Sequence, residues 1–368
     1  MKNFQVNFNS DFELIMDGPK GRERLKINGE YPNTVLSRCL FSNLGLMHLI
    51  APYFPEEIST DFQITSQMKE LISAMYASEN HRLLSLDSIE GVRFFTPKTD
   101  PNKVVIAYSA GKDSMWNLWW ASEKYGMENV LVAHIKGLNR CQSSEEVGYI
   151  KRQQKHIGFN LKIIDLLNGS RNCGFQTMRS RDMFLTGIII PFALEFGASK
   201  IIIEGFIESD ELFTGKEENM KYFNDILKSF GISVQVAWRN DRKEMDCVKD
   251  LILNRPEWLK HICNCFSNPA YKISLHKSWQ RRTPTFPLYD SQCGSCVKCR
   301  IINIARILYD PEMKKVKPDE IRFYLQNTAK WIKEKLPTHA DMINRSFREY
   351  FNQAVEKYGL NNLKSSQE

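Results

Sequence analysis

The sequence predicts an α/β protein built on a doubly wound parallel sheet, with an N-terminal α+β extension and a C-terminal helical region that holds zinc. Three observations lead to this fold class. Apolar runs of strand length alternate with helical patterns between residues 103 and 238, which is typical of parallel sheets. One of these runs ends in a short turn that leads directly into a helical segment. Three cysteines lie close together late in the chain.

Length and charge set the scale of the molecule. A chain of 368 residues can form one large or two ordinary domains. The net charge of +7 is unevenly distributed. Residues 1–100 carry 10 basic and 13 acidic side chains, whereas residues 236–340 carry 20 and 11. We therefore expect an anionic partner to approach the C-terminal part.

The apolar segments are too short to cross a membrane, and the first residues lack the apolar core of a signal peptide. We therefore expect a cytoplasmic protein with no membrane partner. In that compartment, an odd number of cysteines with a tight cluster favours metal binding over disulfides.

We expect three parts, at residues 1–100, 101–310 and 311–368. The first part contains no recognisable chemistry, so a core-forming extension and a binding surface for a partner protein both remain open. Its predicted elements are two strands at 4–16 and 24–31 and two helices at 37–53 and 65–77. The last part is expected to be helical.

The middle part has the regular alternation. The predicted strands are 104–107, 130–135, 161–167, 200–206 and 232–238, and the later helices are about 180–196 and 217–230. Ser143 and Glu146 form a capping box that begins a helix ending near Gly158. Ligands of such sheets bind beyond the carboxyl ends of the strands, so chemistry is expected there.

The first strand of the middle part is followed by Ser109-Ala110-Gly111-Lys112-Asp113-Ser114. A turn at a helix start directs backbone N–H groups and the positive end of the helix dipole at an anion. Gly111 permits close approach of phosphate, the two serines add hydroxyl donors, and Asp113 can bind magnesium or cap the helix. It is not a Walker loop, because aspartate follows Gly111-Lys112 and the earlier spaced glycine is absent.

This segment resembles the SGGxDS loop of the PP-loop ATP pyrophosphatases, which have a Rossmann-like (HUP) fold. The resemblance implies ATP and Mg²⁺ as cofactors, with the loop holding the β,γ-phosphates while a substrate oxygen attacks the α-phosphorus. It implies catalytic roles for Ser109, Asp113 and Ser114. The implied ATP-binding residues are Ser109, Ala110, Gly111, Lys112, Asp113, Ser114 and His134. Ala110 departs from the usual glycine, and a lone histidine such as His134 is more often structural than catalytic.

Polar residues also follow the later strands. Arg181 suits a carboxylate or phosphate because its planar fork donates two parallel hydrogen bonds. Glu208 or Asp210 can accept hydrogen bonds from a guanine-like edge. Helix capping and solvated salt bridges are the alternative explanation for each.

The cysteine motif is Cys293-Gly294-Ser295-Cys296-Val297-Lys298-Cys299. Three thiols at this spacing can converge on one zinc ion, with a fourth ligand from elsewhere. His261, Cys263 and Cys265 are the upstream candidates. An iron–sulfur cluster or a redox-active cysteine pair is the rival interpretation.

Together, the loop and the cysteine motif resemble the 7-cyano-7-deazaguanine synthase (QueC-like) family over about residues 103–306. The resemblance implies zinc ligands Cys265, Cys293, Cys296 and Cys299. It implies substrate-binding residues Arg181, Asp182, Phe184, Gly205 and Asp210. Asp182 replaces the usual asparagine, Cys265 lies farther from Cys293 than in the family, and the first hundred residues have no counterpart there.

The resemblance implies an AMP-forming carbon–nitrogen ligase that activates the carboxylate of 7-carboxy-7-deazaguanine and transfers the acyl group to an amine. Enlarged relatives in antiviral defence operons of the type IV CBASS and Qat kinds suggest a protein N-terminus as acceptor, positioned by residues 1–100. The alternatives are an ammonia-dependent 7-cyano-7-deazaguanine synthase, a tRNA-thiolating PP-loop enzyme and a non-catalytic nucleotide-binding scaffold. A nucleic acid is therefore a less favoured partner than a protein.

Overall fold

The fold was analysed in a computed structural model of the chain. The structure describes residues 4–19, 21–137, 143–168, 178–204, 213–238, 241–263, 286–289, 292–335 and 343–365.

Nine strands and eleven α-helices are described, with short 3₁₀ turns between some of them. The strands are β1 (Phe4–Phe8), β2 (Glu13–Gly18), β3 (Gly21–Asn28), β4 (Ile58–Thr60), β5 (Asp100–Ala107), β6 (Val130–Lys136), β7 (Asn160–Asn168), β8 (Ala198–Ile203) and β9 (Gln235–Trp238). The helices are α1 (Val35–Ile50), α2 (Ser66–Ser78), α3 (Lys112–Tyr125), α4 (Ser143–Ile157), α5 (Met178–Phe196), α6 (Glu217–Ser229), α7 (Glu244–Asn254), α8 (Pro256–Leu259), α9 (Val297–Tyr309), α10 (Pro318–Lys335) and α11 (Arg345–Lys357).

All nine strands form one sheet, in the order β4-β1-β2-β3-β7-β6-β5-β8-β9. The pairs within β5 to β9 are all parallel, because helices connect successive strands and return the chain to the same end of the sheet. β5 is the central strand of this parallel part, and the strand order reverses there. The α/β class and the parallel strands predicted from the sequence are confirmed.

The N-terminal strands extend this same sheet. β3 pairs antiparallel with β7, with Leu25 opposite Asn168. The segment 4–16, expected as one strand, instead forms β1 and β2 with a turn between them. The Asn9 side chain accepts hydrogen bonds from the backbone N–H groups of Asp11 and Glu13, which stabilises that turn. The sheet is therefore mixed. The N-terminal part adds the antiparallel pairs among β1, β2, β3 and β7, with the short strand β4 parallel to β1 at the edge.

Helices cover both faces of the sheet, as in a doubly wound fold. One apolar core joins the sheet to α1, α2, α5 and α6, and includes Leu44, Phe184 and Ile188. The other core joins the opposite face to α3, α7, α9, α10 and α11, and includes Trp116, Val248 and Phe351. The predicted C-terminal helices are confirmed as α10 and α11. Among the described helices, none combines the length and the apolar character that a membrane crossing requires.

Candidate functional site

The predicted phosphate loop lies between β5 and α3, at the carboxyl end of the central strand. Gly111 is the N-cap of α3, and a glycine has no side chain with which to cap it. Ala110 has a φ of +62°, in the left-handed region that favours glycine. An alanine there costs about 1 kcal/mol. This conformation gives a physical reason why similar loops have glycine at this position.

Hydrogen bonds from distant segments fix the loop backbone. The Ala110 carbonyl accepts from the Cys263 N–H at 3.0 Å and from Gln153 Nε2 at 3.2 Å. Gln153 Nε2 also donates to the His261 carbonyl, and Gln153 Oε1 accepts from the Tyr108 hydroxyl. Burial raises the pKa of Tyr108, and the nearby Cys263 and Glu204 raise it further. The Tyr108 hydroxyl therefore stays protonated and donates. These contacts hold the loop from the side of α4.

The two loop serines bond to each other and to a neighbouring strand. Their hydroxyls are 3.1 Å apart, and the Ser114 hydroxyl donates to the Gly111 carbonyl at 3.2 Å. The Ser109 hydroxyl donates to Glu204 Oε1 at 2.7 Å. Because Glu204 directly follows β8, this bond joins the ends of two adjacent parallel strands.

Lys112 is buried under the loop between two carboxylates. Its ammonium lies 2.6 Å from Asp113 Oδ2 and 2.5 Å from Glu244 Oε1, and its side chain is 2 % exposed. Burial alone would lower the pKa of Lys112, but Asp113 and Glu244 outweigh it and raise that pKa. Lys112 is therefore charged, and its ion pairs with Asp113 and Glu244 stabilise the loop.

One carboxylate oxygen of Asp113 could coordinate a cation. Its Oδ1 atom is buried and has no hydrogen-bond partner within the described parts of the chain. Burial raises the pKa of this carboxyl, Lys112 opposes that effect, and the Glu204 and Glu244 carboxylates add to it. The Asp113 carboxylate is therefore influenced by two further carboxylates, Glu204 and Glu244, and by one ammonium. A buried, unpaired carboxylate oxygen in a surplus of negative charge fits a hard divalent cation such as Mg²⁺.

His134 lies beside the loop on β6. Its Nδ1 is 2.9 Å from the Tyr108 carbonyl, which can only accept, so Nδ1 carries the proton. Burial lowers the pKa of His134, although the Tyr108 carbonyl opposes this, and the ring is accordingly neutral. Nε2 is then a buried acceptor, without a partner among the residues described. The Nε2 atom of His134 could therefore accept a hydrogen bond from an N–H group of a bound molecule.

Arg181 and Asp182 lie at the start of α5, and Arg181 Nε donates a hydrogen bond to Asp182 Oδ1 at 3.0 Å. The Asp182 carboxylate raises the pKa of Arg181, burial opposes this, and Glu204 adds to the increase. The Arg181 side chain remains 31 % exposed. Glu204 is thus electrostatically coupled to both the loop and Arg181, which indicates that these groups share one site.

Phe184 is part of the core between α1 and α5. It is 1 % exposed, and its ring stacks on His48 of α1 at 4.8 Å between centroids. His48 Nδ1 lies 3.2 Å from the Ser180 hydroxyl, and its Nε2 is buried without a partner in the described segments. Burial, with a contribution from Arg181, lowers the pKa of His48 to about 4. The N-terminal part therefore contributes a neutral histidine next to the predicted substrate residues.

Several predicted site residues lie outside the described residues, namely Gly205, Glu208, Asp210 and Cys265.

The cysteine motif forms a compact cluster before and within the first turn of α9. The sulfur atoms of Cys293, Cys296 and Cys299 lie within 4.8 Å of one another, and all three residues are buried. Such a cluster can hold a metal ion such as zinc. Neighbouring Arg300 is electrostatically coupled to all three thiols, and a cation there favours the thiolates that a metal binds.

Neither Cys263 nor His261 belongs to this cluster. The Cys263 N–H bonds to the loop carbonyl of Ala110, and its thiol is close enough to raise the pKa of Tyr108. The third upstream candidate for the fourth ligand, Cys265, lies outside the described residues.

No protein-family model matches this chain, and no curated protein matches it significantly. Function must therefore be inferred from its own residues and their geometry.

The sequence analysis missed Glu204, Glu244, Gln153 and His48 as site residues. Glu204 directly follows a strand, so the rule that ligands bind beyond strand ends would have identified it. Glu244 and His48 have no local signal, because they reach the site only through tertiary packing.

Proposed function

We propose that this chain is an ATP-dependent, AMP-forming ligase that activates a carboxylate and transfers the acyl group to an amine. The observation that carries the proposal is Asp113, a buried carboxylate with an unpaired oxygen at the start of the helix that follows the central parallel strand. This is the place where α/β sheets bind nucleotides.

The triphosphate would lie over the loop, with its β,γ-phosphates against the backbone N–H groups at the start of α3. Asp113, with Glu204 nearby, would hold Mg²⁺, which offsets the charge of the departing pyrophosphate. Because carboxylates outnumber cations around the loop, ATP without magnesium would be repelled. The buried Nε2 of His134 would accept a hydrogen bond from the exocyclic amine of adenine.

The carboxylate substrate would bind beside Arg181, the partly exposed cation at the same end of the sheet. Arg181 can hold a carboxylate in a fixed orientation through two parallel hydrogen bonds. Asp182 would accept from the N–H groups of a guanine-like edge, and by the resemblance stated above the substrate is 7-carboxy-7-deazaguanine. The His48 side of α1 would form the adjoining wall.

In the first step, a carboxylate oxygen attacks the α-phosphorus, and the bond to the pyrophosphate oxygen breaks. The products are the acyl-adenylate and pyrophosphate. In the second step, an amine attacks the acyl carbon, loses a proton and expels AMP, which leaves an amide. No protein nucleophile is required, because orientation of the reacting groups supplies most of the acceleration.

The cysteine cluster would have a structural role. Four thiolates around zinc, with Cys265 as the fourth, form a closed site without an open position for a substrate. Such a site would tie the beginning of α9 to Cys265, two residues after Cys263, whose N–H bonds to the loop carbonyl of Ala110.

The test is release of AMP and pyrophosphate from Mg-ATP, with and without 7-carboxy-7-deazaguanine, followed by mass spectrometry of the products with ammonium or candidate proteins as acceptor. We expect AMP formation that depends on the deazaguanine, and a loss of about a hundredfold or more in Asp113→Asn. Asp319→Asn, an exposed carboxylate on α10, is the matched control and should retain activity. ATP binding without turnover would instead support a scaffold.

A sulfur-transfer reaction is the second candidate, because the thiol of Cys263 lies beside the loop. A tRNA-thiolating enzyme requires a reactive cysteine near the adenylated substrate. Cys263→Ser separates the two proposals. The ligase would keep its activity in this variant, whereas a thiolating enzyme would lose it.

A further inference from the structure

The nucleotide loop is connected to the C-terminal helical region by a continuous series of side-chain contacts. Asp113 contacts the ammonium of Lys112 at 2.6 Å, and Lys112 contacts Glu244 Oε1 at 2.5 Å. The other oxygen of Glu244 accepts from Asn344 Nδ2 at 3.0 Å. Asn344 caps α11, where its Oδ1 accepts from the Phe347 N–H at 2.8 Å. We call these four residues, Asn344, Glu244, Lys112 and Asp113, the loop relay.

Because the loop relay is buried, its contacts depend closely on the positions of its side chains. The side chains of Lys112, Asp113 and Glu244 are 2 %, 12 % and 15 % exposed. Water is therefore largely excluded from their contacts, and the loss of any partner leaves a charge without full compensation. A displacement of Glu244 must consequently be transmitted to Lys112.

The start of α7 is also held against α3 by a second residue, Arg242. Its guanidinium donates to Asn117 Oδ1 at 2.8 Å and lies 3.9 Å over the Trp116 ring. Both partners belong to the first two turns of α3. Glu244 therefore approaches the loop from a helix start that is fixed in position.

We propose that Glu244 and Asn344 are positioning residues for Asp113, through which α11 controls the cation site of the loop. Glu244 shares the ammonium of Lys112, so the ammonium does not neutralise Asp113 alone, and Asp113 keeps an oxygen for Mg²⁺. Asn344 fixes the oxygen of Glu244 that does not face Lys112. The catalytic consequence rests on the proposed function, whereas the mechanical coupling does not.

Removal of the Glu244 charge should strengthen the pairing of Lys112 with Asp113. The ammonium would then compete with Mg²⁺ for the Asp113 carboxylate. For Glu244→Gln we expect the Mg²⁺ concentration at half-maximal AMP formation to rise about tenfold or more, the usual range for the loss of a group that orients a metal ligand. Asn344→Ser should shift it in the same direction by less. Serine can still cap α11, but it is too short to reach Glu244.

A double-mutant cycle tests whether Glu244 acts through Lys112. In a Lys112→Met background the ammonium is absent, so Glu244→Gln should cause a much smaller further change in the Mg²⁺ requirement, from its direct charge effect on Asp113 alone. An undiminished effect of Glu244→Gln in that background would contradict the proposal that Glu244 acts through Lys112.

Two variants control for the docking of α11 itself. Tyr350→Phe removes the 2.6 Å bond from the Tyr350 hydroxyl to Asp246, and Lys243→Met removes the 2.9 Å ion pair with Glu349. Both contacts join α7 to α11, as Glu244 and Asn344 do, but neither reaches the loop. They should leave the Mg²⁺ requirement unchanged.

The closing experiment needs no turnover. Hydrogen exchange of the peptide 109–120 is measured in the whole chain without nucleotide, for the wild type and the four single variants. We expect about tenfold faster exchange in Glu244→Gln and Asn344→Ser, and no change in Tyr350→Phe and Lys243→Met. Equal acceleration in all four, or in none, would overturn the proposal. If exchange follows the expectation but no carboxylate supports AMP formation, the coupling stands and the proposed function fails.

Discussion

Ser109 and Glu204 join the ends of two adjacent parallel strands through a hydrogen bond of 2.7 Å from the serine hydroxyl to the carboxylate. Ser109 follows β5, Glu204 follows β8, and these strands pair directly. Glu204 also influences the pKa values of Asp113 and Arg181. Glu204 therefore couples the predicted phosphate loop electrostatically to the predicted substrate residue Arg181.

Glu204→Gln is expected to weaken magnesium-dependent activity. The amide keeps a hydrogen-bond acceptor for Ser109 but removes one negative charge near Asp113. The Mg²⁺ concentration for half-maximal AMP formation should rise about tenfold. Glu195→Gln, a carboxylate near the opposite end of α5, serves as control and should not change it. An unchanged Mg²⁺ requirement in Glu204→Gln would remove this residue from the cation site.

His48 should make the folded state sensitive to acid. Its pKa is about 4 in the folded chain and 6.5 in the unfolded reference, so between these values only the unfolded state takes up the proton. Stability is therefore full above pH 6.5 and falls as the pH drops towards 4. The loss amounts to about 3 kcal/mol at most. Urea unfolding at several pH values measures it.

His48→Asn should flatten this dependence of the unfolding free energy on pH, although its stability at neutral pH will be lower because the stacking on Phe184 is lost. The matched control is His81→Asn, which changes an exposed histidine that stacks on Phe54 and should keep the wild-type slope. A His48→Asn variant with the full wild-type slope would contradict the burial of a neutral His48.

Metal content should depend on the cysteine cluster and not on the cysteine at the loop. Cys296→Ser is expected to reduce bound zinc from about one ion per chain to nearly none, because three remaining ligands seldom hold a structural site. Cys265→Ser should have the same effect. Cys263→Ser should keep the metal, since Cys263 is not in the cluster. Elemental analysis of the purified variants decides this, and metal loss in Cys263→Ser would contradict the assignment.

Gly137, directly after β6, should not tolerate a side chain. Its φ is +97°, and a Cβ atom would overlap the carbonyl oxygen of Leu166 in β7. Gly137→Ala should destabilise the fold by roughly 4 kcal/mol or more. In contrast, Gly148 of α4 has open space around it, so Gly148→Ala should stabilise the fold by about 1 kcal/mol. Denaturant unfolding compares the two, and a tolerated Gly137→Ala would contradict the strand spacing described here.

The sequence predicted features that depend on local patterns. The parallel strands, the loop between β5 and α3, and the cysteine cluster all follow from apolar runs, turn residues and short spacings. In contrast, the pairing of β3 with β7 joins segments about 140 residues apart. No local pattern specifies such a register, so the shared sheet was not predicted.

The same limit applies to the site. Asp113 and Ser109 belong to a contiguous motif and were predicted. In contrast, Glu244 contacts Lys112 from the start of α7, and Asn344 contacts Glu244 from the cap of α11. Lys112 was predicted to bind ATP from its place in the motif. The structure places its ammonium between two carboxylates, and only tertiary packing determines that orientation.

In the proposed mechanism a substrate carboxylate oxygen attacks the α-phosphorus of ATP. The most direct test of this step uses 7-carboxy-7-deazaguanine whose carboxylate carries heavy oxygen, with an amine acceptor, and follows the label by mass spectrometry. The proposed mechanism predicts one labelled oxygen in the phosphate of AMP, because acyl transfer breaks the bond between the acyl carbon and that oxygen. AMP without label, formed while the deazaguanine is consumed, would contradict it.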